Sequence, residues 1–441
     1  MIFDAARAHP NALFLISTER SFTYAEMAEK VRLRIAQLEE RLHASTLVAL
    51  VGHASLETLV TLLALLETQT PFVAIHPRWT EAERLRVLQE SRPSHLLDGD
   101  AMLPLSFGLT PSLPSSLLAV LYTSGTSGRS KGAMLSRDAF VHAAKASEAR
   151  LGWQEDDRWL LAMPLAHVGG LSIVLRCLLA QKTIVLSPPG GAHAFMETVS
   201  THRVTIASLV PTQLAHLVNA ELESPPHLRA VLLGGAACPD GILRRAHTLG
   251  WKVFTTYGLT EACSQVTTSI SPVLNSYGGS GTPLDGVELE IREGRICIRT
   301  PSLMLGWLAK GLPEPFDERG FYDTGDLGSL DEEGRIHLHA RRTDLIVTGG
   351  ENVYPREVEE AVLGLDGLRE ACIVGVEDEL WGQRVALLYV GEEQALDALQ
   401  QALRPTLAAF KIPRVIQRID ALPTNSVGKI DRNKARLLIQ P

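Results

Sequence analysis

The apolar run Leu117-Leu118-Ala119-Val120-Leu121-Tyr122 leads directly into Thr123-Ser124-Gly125-Thr126-Ser127-Gly128-Arg129-Ser130-Lys131-Gly132. The first six residues predict a buried strand. The next ten are small hydroxyls and glycines closed by a single lysine, a composition that a globular core does not need. Glycines let the backbone approach a ligand closely, and hydroxyls, N–H groups and the Lys131 ammonium can bind phosphate oxygens. The stretch therefore predicts a polyphosphate-binding loop at the edge of a sheet.

Two other interpretations of this loop fit its sequence less well. It is not a Walker A loop, because Lys131 follows Ser130 and precedes Gly132, which breaks the pattern G-x-x-x-x-G-K-[ST]. A flexible Gly/Ser linker has a similar composition. A linker, however, needs neither a core strand before it nor a lysine at its end.

The length and charge of the chain limit its architecture and partners. A chain of 441 residues is too long for one hydrophobic core, so two or three domains are expected. Hydrophobic residues make up 45% and charged residues 21%, as in ordinary soluble globular proteins. The net charge of −8 indicates no affinity for nucleic acid or anionic membranes. Polyanions would have to bind at local sites.

The cysteines and the first residues predict a cytoplasmic protein. The five cysteines are scattered and form no C-x-x-C pair, so neither a disulfide framework nor a zinc site is expected. The start, Met1-Ile2-Phe3-Asp4, lacks a basic region followed by an apolar one, which argues against secretion. The apolar run 59–66 carries Thr61 and ends at Glu67, so it predicts a buried helix and no membrane insertion.

The first two thirds of the chain alternate between strand and helix patterns. A helix is predicted at 55–69 and another at 80–91, the latter with Thr80 and Glu83 as a capping box. Short continuous apolar runs predict buried strands, and they occur at 46–51, 71–75, 183–186, 206–210, 230–233 and 252–255. This alternation predicts parallel sheets covered by helices.

The pattern changes near residue 285. Strict alternation over 287–299 around Glu293-Gly294 predicts a β-hairpin, and a second hairpin is predicted over 328–339 with its turn at 331–334. From Asp344 onward the sequence predicts a compact α+β segment with helices near 356–363 and 395–407. A domain boundary is therefore expected at about 340–345.

Four further segments carry groups suited to a nucleotide. In Leu233–Ala237, Gly234, Gly235 and Ala236 follow an apolar strand, at the edge where open α/β sheets bind ligands. Alone, this segment is as well explained by an ordinary turn. Tyr257-Gly258-Leu259-Thr260-Glu261 also follows a predicted strand, and it can stack a base and hold Mg²⁺ through oxygen. The alternative is a helix start capped by Thr260, which explains the polar pair but not the whole pentapeptide.

The other two segments are weaker individually. Tyr322-Asp323-Thr324-Gly325-Asp326 places a carboxylate beside a glycine turn, where it could bind the two hydroxyls of a ribose. A surface turn is the more frequent explanation of such a segment. Pro423 to Ile430 presents Lys429 on a turn-rich loop, and a solvated surface lysine would normally explain it.

Taken together, in this order and spacing, the five segments resemble the adenylate-forming superfamily. Its members include acyl-CoA synthetases, aryl-CoA ligases, luciferases and the adenylation domains of peptide synthetases. The resemblance covers essentially the whole chain and includes further segments at 164–170, 341–359 and 410–413. Three stretches, 207–214, 232–237 and 264–267, resemble the o-succinylbenzoate–CoA ligase branch of menaquinone biosynthesis.

The resemblance implies an α/β fold with a large N-terminal domain, residues 1–341, and a small mobile α+β C-terminal domain, residues 342–441. The large domain would hold parallel-rich sheets covered by helices and a small β-barrel-like region. The implied reaction joins a carboxylate to the α-phosphate of ATP with Mg²⁺, releases pyrophosphate, and then transfers the acyl group to coenzyme A. The first step needs cations rather than a general base.

The resemblance also implies the site residues. Catalytic roles would fall to Lys429, Glu261 and His167, with Glu261 near the metal. Substrate contacts would come from His167, Ser208, Gly235, Ser264 and Gln265. The ATP-binding residues would be Thr123, Ser124, Gly125, Thr126, Ser127, Gly128, Lys131, Gly234, Gly235, Ala236, Tyr257, Gly258, Thr260, Asp326 and Arg341.

Domain rotation about a hinge at 342–344 would withdraw Lys429 and bring Gly349 and Gly350 to the pantetheine tunnel. A side chain at Gly350 would then block the second step.

Several alternatives stay open at this stage. The acid could be o-succinylbenzoate or another aromatic acid, such as a benzoate or anthranilate in secondary metabolism. The acyl acceptor could be free coenzyme A or a carrier protein, and the assembly a monomer or a homodimer. A non-catalytic protein with the same fold is a third hypothesis. The presence of Lys429, Glu261, Asp326 and Lys131 together argues against it.

Overall fold

The computed structural model describes most of the chain. It covers residues 1–42, 46–107, 112–123, 131–188, 190–236, 238–275, 279–309, 311–341, 344–348, 351–378, 381–407, 409–425 and 428–439. For residues 340, 341, 351 and 352 it describes the backbone only.

Strands dominate the architecture. In chain order they are β1 (Leu13–Ile16), β2 (Ser21–Thr23), β3 (Val48–Val51), β4 (Phe72–Ile75), β5 (His95–Asp98), β6 (Ala101–Pro104), β7 (Leu117–Thr123), β8 (Lys131–Ser136), β9 (Arg158–Leu161), β10 (Thr183–Leu186), β11 (Ile206–Leu209), β12 (Ala230–Leu233), β13 (Val253–Leu259), β14 (Ser264–Thr268), β15 (Thr282–Pro283), β16 (Glu288–Arg292), β17 (Arg295–Arg299), β18 (Gly306–Trp307), β19 (Tyr322–Leu330), β20 (Ile336–Arg341), β21 (Ile346–Thr348), β22 (Glu351–Val353), β23 (Leu368–Asp378), β24 (Gly382–Gly391) and β25 (Val415–Arg418).

Helices cover the sheets. They are α1 (Ile2–Ala8), α2 (Tyr24–Glu39), α3 (Leu56–Glu67), α4 (Glu81–Ser91), α5 (Arg137–Leu151), α6 (Val168–Ala180), α7 (Ala192–Thr201), α8 (Pro211–Asn219), α9 (Asp240–Thr248), α10 (Pro355–Leu363), α11 (Leu396–Leu403) and α12 (Arg432–Leu438), with a 3₁₀ turn at Thr260–Ala262. The predicted capping box begins α4: the Thr80 side chain accepts from Glu83 N, and the Glu83 side chain accepts from Thr80 N.

Within the described ranges the strands form sheets of nine, seven, four and five members. The nine-stranded sheet has the order β15-β14-β13-β12-β11-β9-β10-β1-β2, and β13 to β1 in this order are parallel. The seven-stranded sheet has the order β18-β8-β7-β4-β3-β5-β6, with β7, β4, β3 and β5 parallel. The continuous apolar runs are thus the parallel strands, buried on both faces.

The region after residue 285 is antiparallel, as predicted. The four-stranded sheet has the order β16-β17-β19-β20. Its first hairpin turns at Glu293 (φ 51°) and Gly294 (φ 77°), the two positive-φ positions of a type I′ turn. The second hairpin, β19 and β20, turns at 331–334.

The last hundred residues form the five-stranded sheet, β22-β21-β24-β23 with β25 beside β24, and three helices of the described segments. The helix predicted at 395–407 is shorter: α11 ends at Leu403. Pro405 explains the early end, because proline has no N–H with which to continue the helical hydrogen bonds.

The hydrophobic cores follow this division. The largest cluster joins side chains of the nine- and seven-stranded sheets, for example Phe14, Phe72 and Trp159, around α3 and α6. Two other clusters consist entirely of residues from Ile346 onward. The last segment therefore has a core of its own. In the described part of the chain, no helix combines the length and the apolarity needed to span a bilayer.

Candidate active site

The side chain of Lys429 lies against Gly235, the second glycine of the pair that follows β12. Gly235 has φ +85°, and a Cβ built on it would lie 2.8 Å from Lys429 Cε and 3.1 Å from Lys429 Nζ. A side chain at position 235 would therefore occupy the space of the lysine. Gly234 is equally confined, since its Cβ would lie 2.8 Å from Thr256 Cγ2.

A tight turn presents Lys429. Its backbone N donates to Asn425 Oδ1 at 3.0 Å, and its carbonyl accepts from Asn425 N at 2.8 Å. Gly428 takes φ +80° in this turn. Thr212 Oγ1, in the first turn of α8, donates to the Gly428 carbonyl at 3.1 Å. The lysine loop is thus hydrogen-bonded across to the large region of the chain.

Arg432 fixes the other side of the lysine loop. Its guanidinium donates to both carboxylate oxygens of Glu359, on α10, and to the carbonyl of Ile373 at 2.7 Å. Its Nε also lies 3.6 Å from Asp344 Oδ2. Only two residues separate Arg432 from Lys429, so this half-buried arginine restricts where the lysine turn can go.

His167 lies at the entrance of α6, close to the lysine. Burial is the main cause that lowers its pKa to about 3, and the charges of His76, Lys429 and Arg78 add to it. The ring is therefore neutral near pH 7. It contacts the ring of His76, with centroids 4.8 Å apart.

The Tyr257–Glu261 segment was predicted to follow a strand, and this is wrong for its first three residues. β13 continues through Tyr257 and Gly258 to Leu259 because it changes partner. Its first half pairs with β12 in parallel, and its second half pairs with β14 in antiparallel. Thr260 and Glu261 then form the 3₁₀ turn, so Thr260 is not the cap of an α-helix.

The close approach of β14 to β13 requires glycine at position 258. A Cβ on Gly258 would lie 1.8 Å from the Ser264 carbonyl oxygen. Cys263 (φ 53°) and Ser264 (φ 100°) both take positive φ as the chain returns. Such strain in non-glycine residues is typical of functional sites.

Two tyrosines join the motifs through their hydroxyls. Tyr257 OH donates to Asp326 Oδ2 at 2.8 Å, and Tyr322 OH donates to Glu261 Oε1 at 3.4 Å. Burial, followed by the nearby Glu261 carboxylate, raises the pKa of Tyr322 well above its ordinary value, so the hydroxyl stays protonated. The motifs on β13, on the 3₁₀ turn that follows it and on β19 therefore form one cluster.

The Tyr322–Asp326 segment is part of β19, not a surface turn. The β17–β19 register slips between Arg295 and Cys297, and β19 has extra residues there. Gly325 (φ 73°) and Thr324, whose Oγ1 donates to the Ile296 carbonyl at 2.9 Å, shape this bulge. A bulge redirects side chains, and here it carries the Asp326 carboxylate to Tyr257.

Of the predicted phosphate-binding loop, the structure describes Thr123 at one end and Lys131 and Gly132 at the other. Thr123 ends β7, and Lys131 begins β8 as its direct partner. Lys131 Nζ lies 5.3 Å from the centroid of the Trp307 ring, a cation–π contact. Ser124, Gly125, Thr126, Ser127 and Gly128 lie outside the described residues. So do the hinge residues 342 and 343, together with Gly349 and Gly350, and the side chain of Arg341.

The residues predicted to bind the acid have differing surroundings. Ser208 Oγ accepts from Trp159 Nε1 at 3.1 Å. The Gln265 amide is engaged at both ends: Oε1 accepts from Ser147 Oγ at 2.7 Å, and Nε2 donates to Thr268 Oγ1 at 2.8 Å. Gln265 is also buried. These bonds connect β14 to α5, and contact of Gln265 with the acid stays a prediction.

Three neighbours of the site carried no clear signal in the sequence. Thr212 and Arg432 act through contacts more than fifty residues away in the chain, which no local pattern contains. His76 follows β4 directly. The rule that ligands bind at the carboxyl ends of parallel strands could have singled it out.

The donor set fits magnesium that arrives with a nucleotide. Among the described residues, no three His, Cys, Asp or Glu side chains are grouped as a metal site. Mg²⁺ is commonly held by one or two carboxylates and by substrate phosphates. A single carboxylate such as Glu261 suits that mode.

Comparison with known proteins agrees with this arrangement. The family model described as AMP-binding enzyme matches residues 2–106 and 103–308, and that of the AMP-binding enzyme C-terminal domain matches residues 357–429. The 2-succinylbenzoate–CoA ligase of Bacillus pumilus is 31% identical over 99% of this chain and 97% of its own. That of Lactococcus lactis is 31% identical over 98% of each chain.

Solved structures match over the full length as well. The o-succinylbenzoate CoA synthetase of Bacillus subtilis in complex with its acyl-adenylate intermediate has a TM-score of 0.87 and 29% identity, covering 99% of this chain and 97% of that one. The same enzyme with ATP and magnesium ion has a TM-score of 0.86 and 28% identity, covering 98% of each chain. The chain belongs to the AMP-binding enzyme family.

Proposed function

We propose that this protein is an AMP-forming ligase that converts 2-succinylbenzoate (o-succinylbenzoate) and coenzyme A into the corresponding acyl-CoA. The observation that carries the proposal is Lys429 lying against Gly235, beside His167. Its support is the full-length similarity to 2-succinylbenzoate–CoA ligases.

The first half-reaction joins the acid to AMP. A carboxylate oxygen of the acid attacks the α-phosphorus of MgATP, the bond from that phosphorus to the bridging oxygen breaks, and pyrophosphate leaves. Negative charge collects around the α-phosphate during this step, so a positioned ammonium stabilises the transition state. We assign that role to Lys429.

The second half-reaction transfers the acyl group. The thiol of coenzyme A gives up its proton to solvent, its sulfur attacks the acyl carbon, the bond from that carbon to the phosphate oxygen breaks, and AMP leaves. This step forms no bond at the α-phosphorus, so the transition-state charge assigned to Lys429 in the first step does not arise. Its withdrawal, with Gly349 and Gly350 taking its place near the thiol, remains a prediction from the family resemblance.

The nucleotide would be bound by the joined motifs. Asp326, bonded to Tyr257, would accept hydrogen bonds from the ribose hydroxyls. The backbone of Gly234–Ala236 would face the adenine. Glu261 would bind the Mg²⁺ of MgATP, and Lys131 the departing pyrophosphate. The loop residues 124–128 and Arg341 complete this proposed set.

His167 would contact the acid without exchanging a proton. A group whose pKa is about 3 is a poor base near neutral pH. Its neutral ring can instead pack against the acyl group and form a hydrogen bond to it. The proposed domain boundary is at 341–342, between β20 and the separately packed last segment.

The decisive assay follows pyrophosphate release over a panel of acids, with and without coenzyme A. The proposal expects release with 2-succinylbenzoate, and acyl-CoA formation only when coenzyme A is present. No release with any acid would contradict the enzyme assignment. Preference for benzoate or anthranilate would move the protein to the alternative, an aryl-CoA ligase of secondary metabolism.

Two further attributes, the location of the protein and its assembly, are part of the proposal. We expect the protein in the cytoplasm, where ATP and coenzyme A are available. The assembly, monomer or homodimer, can be determined by light scattering of the purified chain.

A further inference from the structure

His76 packs against His167, the residue proposed above to contact the acid. It follows β4 and is 1% exposed. Backbone bonds join the two histidine segments through Gly52, whose N donates to the Ile75 carbonyl and whose carbonyl accepts from Leu165 N, both at 2.9 Å. The His76 ring is 4.8 Å from His167 and 6.2 Å from Trp79, between centroids.

The hydrogen bonds of His76 determine which nitrogen carries its proton. The backbone N of Arg78 donates to His76 Nδ1 at 3.0 Å, so Nδ1 is an acceptor. Burial, and then the charge of Arg78, lowers the pKa of His76 to about 4, which keeps the ring neutral near pH 7. A neutral imidazole with an acceptor at Nδ1 has its proton at Nε2.

That Nε2–H is buried and has no hydrogen-bond partner among the described residues. The Nε2 of the neighbouring His167 is in the same condition. Burying an unsatisfied donor is unfavourable, so each such atom in a native structure needs an explanation. His76 and His167 are adjacent and both carry an unsatisfied nitrogen, and the charge of Lys429 acts on His167. Together they suggest a ligand that supplies the missing acceptor.

We propose that His76 Nε2–H is a specificity-determining donor to an oxygen atom of the acyl group of the acid, either the ketone or the second carboxylate. This inference rests on the proposed function. 2-Succinylbenzoate has two carboxylates and a ketone, and forming the thioester consumes one carboxylate. The ketone and the second carboxylate still need partners when the acid is buried. A neutral N–H donor provides one without adding charge.

Two substitutions separate this role from a purely structural one. In His76→Gln the side-chain amide nitrogen replaces the Nε2–H donor but leaves nothing at Nδ1. In His76→Asn the amide oxygen replaces the Nδ1 acceptor for Arg78 N but leaves no donor at Nε2. A substrate role predicts that His76→Gln keeps the KM for the acid. It also predicts that His76→Asn raises that KM about tenfold, the equivalent of about 1.4 kcal/mol.

Substrate analogues identify the oxygen. 3-Benzoylpropionate lacks the ring carboxylate, and 4-(2-carboxyphenyl)butanoate lacks the ketone. With the analogue that lacks the accepting oxygen, wild type and His76→Asn should have the same KM. If both analogues keep the full difference, the proposal is overturned. It is also overturned if His76→Gln is the variant that loses the acid, because that pattern means the Arg78 contact alone matters.

The controls distinguish this inference from the function on which it rests. His227 Nε2 already bonds to the Val199 carbonyl at 3.0 Å, so His227→Asn should leave the KM for the acid unchanged. Thermal unfolding of each variant tests its folding, and the KM for ATP should stay constant. A wild type inactive with 2-succinylbenzoate contradicts the proposed function. If the wild type is active and both His76 variants keep its KM for the acid, only the role of His76 is contradicted.

Discussion

At the scale of single residues, the candidate site depends on where side chains are missing as much as on where they are present. Gly235 and Gly258 each leave a space that another part of the chain fills, the Lys429 side chain in one case and the Ser264 carbonyl in the other. The sequence could predict that glycines lie here. It could not predict what fills these spaces, because Lys429 is almost two hundred residues beyond Gly235.

Replacing Gly235 with alanine should impair the first half-reaction. The new Cβ meets Lys429 Cε at 2.8 Å, and alanine is disfavoured at this positive φ. Displacing a catalytic group by about an ångström can cost roughly 100-fold in rate. Pyrophosphate release measures the effect. Gly241→Ala is the matched control, since a Cβ there has nothing within 4 Å, and unchanged release in both variants would contradict the account.

Tyr257→Phe removes the hydroxyl that donates to Asp326 while keeping the ring. One lost hydrogen bond of about 1 kcal/mol should raise the KM for ATP about fivefold, with little effect on the KM for the acid. Steady-state kinetics with each substrate varied in turn checks this. Tyr24→Phe loses a bond to the Lys182 carbonyl in the core, so it should lower thermal stability and leave both KM values intact. A KM for ATP that does not respond to Tyr257→Phe would argue against nucleotide binding at this cluster.

At the scale of elements, local patterns predicted most strands and the two hairpins, because burial and turn chemistry decide them. The capping box of α4 is one example. The errors arose where pairing overrides local preference. β13 runs on through Gly258 because it exchanges β12 for β14, and β19 includes Gly325 because a bulge lengthens it. Such changes depend on which strands pair, and the local preference of a segment does not decide the pairing.

Thr212→Val tests the contact between α8 and the lysine loop. The substitution keeps the shape and removes the donor to the Gly428 carbonyl. We expect adenylation to slow about fivefold, consistent with one lost hydrogen bond of about 1 kcal/mol. Thioester formation from supplied acyl-adenylate should not change. Thr198→Val, which loses a bond within α7, is the control, and equal slowing of both half-reactions would show that the contact is not specific to the first.

At the scale of the whole molecule, the resemblance of five separated segments predicted the architecture and the family better than any single segment could. The resemblance does not show how the last segment of the chain contacts the large region. Thr212, Arg432 and His76 are placed by packing between distant elements. Their contribution appears only when the chain is folded.

The two buried histidines make a prediction about acid stability. Their pKa values, about 4 for His76 and about 3 for His167, lie below the ordinary 6.5. The unfolded chain therefore binds more protons than the folded one below pH 6.5, and stability falls as the pH drops toward those values. His53, Arg78 and Glu83 face His76, and Lys429 faces His167.

Thermal unfolding of wild type and His76→Gln between about pH 7.5 and about pH 5 measures this linkage. On acidification the melting temperature of the wild type should fall more steeply than that of His76→Gln, because the variant lacks one of the two buried imidazoles. Parallel curves would mean that His76 is not buried in the neutral form.

Lys429→Ala shows whether Lys429 serves the first half-reaction alone. The two half-reactions are measured separately, as pyrophosphate release from ATP and acid, and as acyl-CoA formation from supplied acyl-adenylate and coenzyme A. We expect the substitution to abolish pyrophosphate release and to leave acyl-CoA formation close to the wild-type rate. Equal loss of both half-reactions, or release that survives, would contradict it.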